Sequence, residues 1–243
     1  MTDTSTLTRE ATASVADQLQ ALHRASGLAP LKLGGKSLLP IVQGGMGVGI
    51  SAHRLAGTVA SLNAVGTISS VDLRRHHPHL LAGPQDLPAG AQATQAAKQA
   101  INEANLEALS REIKAARAIA GDSGLLAMNI MRAVSEYGPA VKQALACGID
   151  MVVVGAGLPL DLPDLAQDHP NTLLVPILSD ARGIQLLVRK WERKKRLPDA
   201  IVIEHPRLAG GHLGAARISD LGDKRFDFEN AIPEALAFLR SAG

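Results

Sequence analysis

Aromatic side chains are scarce: one Trp, one Tyr and three Phe stand in 243 residues, at Trp191, Tyr137, Phe226, Phe228 and Phe238. With 46% hydrophobic residues, a substantial core is within reach, but it must be built from Ala, Leu, Val and Ile. That mixture is usual for buried parallel strands under helices, and it gives nucleic-acid bases little to stack on. Cysteine occurs once, at Cys147, which excludes an internal disulfide framework. In AVKQALACGIDMVVV it reads as a small residue on a helix face rather than a reactive thiol. An excess of charge is also lacking. The balance of 25 Lys and Arg against 23 Asp and Glu leaves +2, too weak a field to draw nucleic acid or an anionic membrane. No apolar run reaches the roughly 18 residues that cross a bilayer. MTDTSTLTREATASVADQ has neither the basic start nor the apolar centre of a secretory signal. A soluble, cytoplasmic chain acting on a small molecule is therefore the expectation, with no nucleic acid and no membrane as partner.

What is present is alternation. Leu7, Ala11, Val15, Leu19 and Leu22 recur at helical spacing and predict an N-terminal helix over about 6–26. LKLGGKSLL predicts a hairpin at 31–39, with Gly34 and Gly35 supplying the positive φ angles of its turn. Apolar runs then predict strands at 40–45, 64–69, 125–130, 150–157, 172–179 and 200–205. Helical patterns lie between them: SAHRLAGTVASLN with Ser51 as N-cap, ATQAAKQAINEANLEALSREIKAARAIAG, YGPAVKQALACG and ARGIQLLVRKWERKKR. Two arrangements fit, an open doubly wound sheet and a TIM (β/α)8-type barrel. Unusual residues follow nearly every strand, from Gly44 and Gly45 to Gly210 and His212, and this favours the barrel, whose loops converge at one face. Only six β/α units can be counted, so the expected fold is an α/β barrel cut short after the sixth unit, preceded by a helix and a hairpin. The division expected is 1–30 as a helical extension and 31–243 as a partial barrel. Unpaired strand edges would leave backbone and apolar surface exposed, which keeps a homo-oligomer open as the assembly.

QGGMGVGIS, Gln43 to Ser51, carries four glycines between a strand and a helix start. Its backbone can approach a phosphate or a flat ring closely, or simply turn tightly; it matches neither the dinucleotide nor the P-loop spacing. AGGHLGAA frees His212 of bulky neighbours, so this imidazole suits proton removal from carbon near neutral pH, or else hydrogen bonding within a loop, as to Glu204. RRHHPHL offers three histidines, but Pro78 interrupts them and no ligand spacing appears, so no metal is expected. It reads as a solvated or lid-forming loop, with Arg74, Arg75 and His76 as contacts for an anion. RKWERKKR reads as a solvated basic face at a helix end. Asn129 in MNIM is a strand-end amide, either a loop organiser or a ligand hydrogen-bonder.

In order and spacing, PIVQGGMGVGIS, VGTISS, MNIM, DMVVVGAGLP, VPILSDAR and IVIEHPRLAGGHLG resemble the nitronate monooxygenase family over Leu39 to about Gly214. The resemblance implies an FMN-binding TIM barrel that oxidises a nitronate or nitroalkane with O2. It implies that Gly44, Gly45 and Met46 lie against the flavin, that Asn129 hydrogen-bonds it and that Gly211 sits near its edge. His212 would be the general base. Where the family often has a cofactor-binding lysine this sequence has SDAR, so Arg182 stands in for it. The Gly-Gly-Ile and Gly-Thr loops that hold the FMN phosphate in the family do not occur after Gly214, and weak FMN retention by the 243-residue chain alone is expected. The alternatives are an enoyl reductase of the FabK type, which shares the QGGM and GGH patterns, and a non-catalytic barrel fragment.

Overall fold

The computed structural model describes residues 4–81, 91–209, 214–215 and 217–242. Helix α1, Thr4–Ser26, precedes a hairpin of β1, Leu31–Leu33, and β2, Lys36–Leu38. Gly34 and Gly35 turn the hairpin at φ 56° and 73°, and both pair signs match the type I′ geometry that a twisted two-stranded ribbon favours. Val15 and Leu22 of α1 are exposed.

After the hairpin the chain alternates: α2 His53–Ser61, β3 Val65–Ser69, α3 Ala91–Ala120, β4 Leu125–Met131, α4 Tyr137–Ala146 and β5 Met151–Gly155. It continues through the single turn α5, Leu162–Leu165, then β6 Leu173–Leu178, α6 Ala181–Glu192, β7 Val202–Ile203 and α7 Phe228–Ala242. The strands form one parallel sheet in chain order, β3-β4-β5-β6-β7, curled as a half-barrel. Side-chain alternation gives it two faces. Ile68, Met128, Ile130, Val152, Val154 and Leu174 point outward into a core shared with Ala56, Ala116, Val141, Ile184 and Trp191 of the helices. Val65, Leu125, Ala127, Met151, Val153, Leu173 and Val175 point inward, and Leu38 of the hairpin closes them off with Leu31 and Leu33. Gly66 admits α2 to the sheet: a Cβ there would stand 1.9 Å from the Ala56 carbonyl oxygen. Among the described residues no helix is long and apolar enough to cross a membrane.

Three expectations are corrected. The run at 40–45 is not a full strand but a single parallel bridge between Val42 and Val65. The ladder begins normally, with Val65 N–H donating to Ile41 O at 3.1 Å and Gln43 N–H to Val65 O at 2.9 Å. The Gln43 side chain then takes the next pair, accepting from Thr67 N–H at 3.0 Å and donating to Thr67 O at 3.1 Å, so the backbone is released into the glycine loop. The run at 200–205 shrinks to Val202–Ile203. Leu174 and Leu178 both turn their carbonyls toward this edge, accepting from Asp199 and Glu204, and Pro176 between them has no N–H to offer it. Ser51 is not the N-cap of α2; Ala52 is, without a side-chain bond.

RRHHPHL forms two 3-10 turns, Leu73–His76 and Pro78–Leu80, rather than an open loop. Leu73 is fully buried, Arg74 and Arg75 both pair with Asp72, and His77 bonds Glu112. In RKWERKKR the helix stops at Glu192 and Lys195 turns left-handed at φ 57°. Lys190, Arg193 and Lys195 are exposed, as expected of a solvated face, while Trp191 is buried.

Candidate functional site

The inward stripe of each strand changes character at its carboxyl end. On β3 and β4 the apolar series Val65 and Leu125, Ala127 gives way to Ser69 and Asn129, which are register partners and buried. Beside them runs the glycine loop. Met46 N–H donates to the Ser51 hydroxyl at 2.7 Å, Ser51 N–H returns to Met46 O at 3.1 Å, and Ser69 N–H donates to Ser51 O at 3.0 Å. The loop is thus closed on a fully buried serine and tied to the end of β3.

Within the loop, Gly45 lies on Asn129: a Cβ at residue 45 would stand 2.4 Å from the Asn129 Cβ and 3.2 Å from its Oδ1. A Cβ at Gly47 would be 3.5 Å from the Ser69 hydroxyl, whereas one at Gly44 would meet nothing within 4 Å. Asn129 is only 6% exposed, and its side-chain amide, able both to donate and to accept, is the polar group on which Gly45 packs. Met46, Val48 and Ile50 are exposed along the same loop and leave apolar surface at the mouth.

Further along the strand ends, a cleft of about 270 Å³ is lined by Gly157, Leu158, Ile177, Ser179, Asp180, Glu204 and Gly214, among others. Asp180 caps α6 by accepting from Gly183 N–H at 2.6 Å, so a carboxylate already occupies that helix start. Arg182 is exposed in the first turn of α6, behind β6 and two strands away from Asn129. The structure therefore joins Gly45 to Asn129 but does not bring Arg182 to them. His212 and Gly211 lie outside the described residues. His205 nearby is committed to its own loop: its Nδ1 accepts from Arg207 N–H at 3.2 Å, which leaves the proton on Nε2, 3.3 Å from Asp227 Oδ1.

On the flank, the Arg132 guanidinium sits 4.6 Å from the Tyr137 ring centroid, and its Nε is 3.3 Å from Asp161 Oδ1. Burial, reinforced by the Asp161 carboxylate, raises the Tyr137 phenol well above its ordinary value. A larger groove, about 630 Å³, runs between α6 and α7 over a floor that includes Ile184, Val188, Ile201, Ile232 and Phe238. It borders the outward side of β7 and lacks the convergence of strand-end polar groups that marks the first site.

Sequence reasoning missed the Gln43 amide and Glu112 among the groups that hold the loop, and gave Ser51 the different role of a helix cap. Only Glu112 leaves a signal in the sequence, as a charged residue within the apolar stripe Ala108, Leu109, Ile113, Ala116 of α3.

Among known proteins, no curated sequence matches the chain. The solved structure of nitroalkane oxidase from Streptomyces ansochromogenes is similar, with a TM-score of 0.56 at 15% identity over 82% of this chain and 55% of that one. FabK from Thermotoga maritima gives 0.46 at 18% identity over 68% and 40%. The chain thus spans 40% and 55% of the lengths of these two proteins, and the likeness to the nitroalkane oxidase, at 15% identity, concerns the fold alone. The sequence match is broader. The model of the family described as nitronate monooxygenase covers residues 35–238, from the hairpin turn through the glycine loop, Asn129 and the strand ends into α7, and on that extent the chain belongs to the nitronate monooxygenase family.

Proposed function

We propose that the chain is a flavin-dependent oxidoreductase that uses FMN to oxidise a nitronate, or the nitroalkane that gives rise to it, with dioxygen. The observation that carries this reading is the packing of Gly45 on Asn129 at the mouth of the half-barrel. Removal of a single side chain lets backbone approach a buried amide, and a flat ring needs that combination of open backbone and fixed polar group.

Of the described residues, Gly44, Gly45 and Met46 would lie along the ring end of the cofactor and Asn129 would donate to or accept from its polar edge; Gly211, outside the described residues, would border it. Arg182, in the first turn of α6, is proposed as a contact with the anionic end. Bound flavin would take up electrons from the substrate and deliver them to dioxygen. His212 is proposed as the general base that removes the proton from the carbon bearing the nitro group. Residues 1–30 would be an extension to this FMN-binding unit, 31–243.

Titrating the protein with FMN and recording its visible spectrum tests the cofactor. Oxygen uptake with propionate 3-nitronate tests the reaction, and His212→Asn is expected to keep flavin binding while losing turnover of neutral nitroalkane. A protein that gives no bound-flavin spectrum, or one that consumes NADH with a crotonyl thioester and ignores the nitronate, overturns the proposal.

A further inference from the structure

We propose that Glu112 is the positioning residue of the glycine-rich loop, fixing it at two points from behind the barrel wall. The inference rests on the reading of that loop as the flavin-facing segment.

Glu112 is 1% exposed, in the middle of the apolar stripe of α3. A carboxylate in such a place is costly unless its oxygens are occupied, and both are. Oε2 accepts from the His53 backbone N–H at 2.7 Å and from His53 Nδ1 at 2.8 Å. Oε1 accepts from His77 Nε2 at 3.0 Å. Because an ionised carboxylate only accepts, these two ring nitrogens carry protons.

The first attachment is a helix cap supplied from another helix. His53 opens α2, whose N-cap Ala52 has no side-chain acceptor, and Glu112 takes the first orphan amide of that helix instead. Two residues earlier is Ser51, whose hydroxyl closes the loop onto Met46. The second attachment runs through His77 to its neighbour His76. The His76 ring lies over Gly49, such that a Cβ on that glycine would stand 2.3 Å from His76 Nε2. Gly49 itself has φ 74°, a conformation that side-chain-bearing residues rarely adopt. One buried carboxylate therefore reaches the loop at Ser51 and at Gly49 through two independent routes, without touching the mouth.

The test uses the full 243-residue chain. Amide exchange is followed at Met46 and Ser51, whose N–H groups bond within the loop, against Val152 and Val154 of β5 as the global reference, and FMN affinity is read by fluorescence quenching. Glu112→Leu is expected to speed exchange at Met46 and Ser51 by roughly tenfold or more, to leave β5 protected, and to weaken FMN by a similar factor. Glu112→Gln, whose carbonyl still accepts both His53 bonds, should restore most of the protection and most of the affinity. If the leucine variant does not fold, His77→Phe removes one attachment, keeps the cap on α2, and is expected to loosen the loop with β5 unchanged.

Unchanged loop exchange in the variant that folds overturns the proposal. So does a rise shared equally by loop and β5, which would mean a purely structural role, or a glutamine variant no better than leucine. Faster loop exchange with unaltered FMN affinity also counts against it. Absence of FMN binding in the parent protein would defeat the flavin reading alone, since the exchange comparison still decides what Glu112 holds.

Discussion

Gly45 and Asn129 are packed so closely that a Cβ on residue 45 would stand 2.4 Å from the Asn129 Cβ, a distance that no pair of carbons tolerates without movement. Gly45→Ala must displace either the loop or the amide. We expect it to cost about 1–3 kcal/mol by overpacking and to weaken FMN binding. Gly44→Ala has open space and is expected to stay within about 0.5 kcal/mol of the parent. Urea unfolding of the two variants with a parallel FMN titration makes the comparison; equal behaviour would show that the contact does not constrain the loop.

The contrast between these two glycines was not legible from QGGM. Sequence pattern locates β3 to β6 because their residues are apolar on both faces, and it locates the hairpin because Gly34-Gly35 can turn it. It also selects Asn129 as a polar residue at the end of an apolar run. What it cannot supply are contacts between distant positions. Gln43 takes over the ladder from its own backbone only because Thr67 stands opposite, and β7 is short because Pro176 sits on the neighbouring strand. His53 and Glu112 are 59 residues apart, so the charge of Glu112 within the apolar stripe of α3 has no visible partner when read locally. In RRHHPHL, His76 and His79 are exposed as the pattern suggests, while His77 is not, because the acid that bonds it, Glu112, lies on another helix.

A second contact recurs at the opposite end of the sheet. Asp150, just before β5, accepts from Leu126 N–H of β4 at 2.8 Å, with Arg117 on its other oxygen at 2.8 Å. Asp199, just before β7, accepts from Leu174 N–H of β6 at 2.7 Å, with Arg196 beside it. Each carboxylate extends a strand ladder by one bond where the neighbouring backbone has not yet come alongside. Asp150→Ala and Asp199→Ala are each expected to lose about 1.5–3 kcal/mol, the usual worth of a hydrogen bond to a charged group. The asparagine variants should lose less, since the amide oxygen still accepts. Equal losses for Ala and Asn in urea unfolding would assign the effect to the arginine pairs instead.

Trp191 is fully buried, and its indole N–H donates to Pro159 O at 3.0 Å, fastening α6 to the segment after β5. Trp191→Phe keeps an aromatic ring but shrinks it and leaves a buried carbonyl without its donor. A loss of about 1–3 kcal/mol is expected, read by circular dichroism because the substitution removes the only tryptophan. Retention of full stability would mean that the Pro159 carbonyl finds another donor.

Tyr137 is the only tyrosine, so its ionisation can be followed without interference from another phenol. Among the described residues its buried hydroxyl has no hydrogen-bond partner, and burial together with the Asp161 carboxylate raises its pKa. In the unfolded chain the phenol loses its proton near the ordinary value of about 10. Between that pH and the higher folded value, the folded state holds one more proton than the unfolded state, so stability must fall as pH rises. Below about pH 10 both states are protonated and the effect is absent. We expect the phenolate band of the native protein to stay silent through the pH range in which the denatured protein develops it. We also expect the stability of the parent to drop more steeply above about pH 10 than that of Tyr137→Phe. The phenylalanine ring keeps its place beneath Arg132, so the difference between the two slopes isolates the hydroxyl from lysine and cysteine titrations common to both. Coincident slopes, or a native phenolate band at the ordinary value, would show that Tyr137 ionises as freely in the fold as outside it.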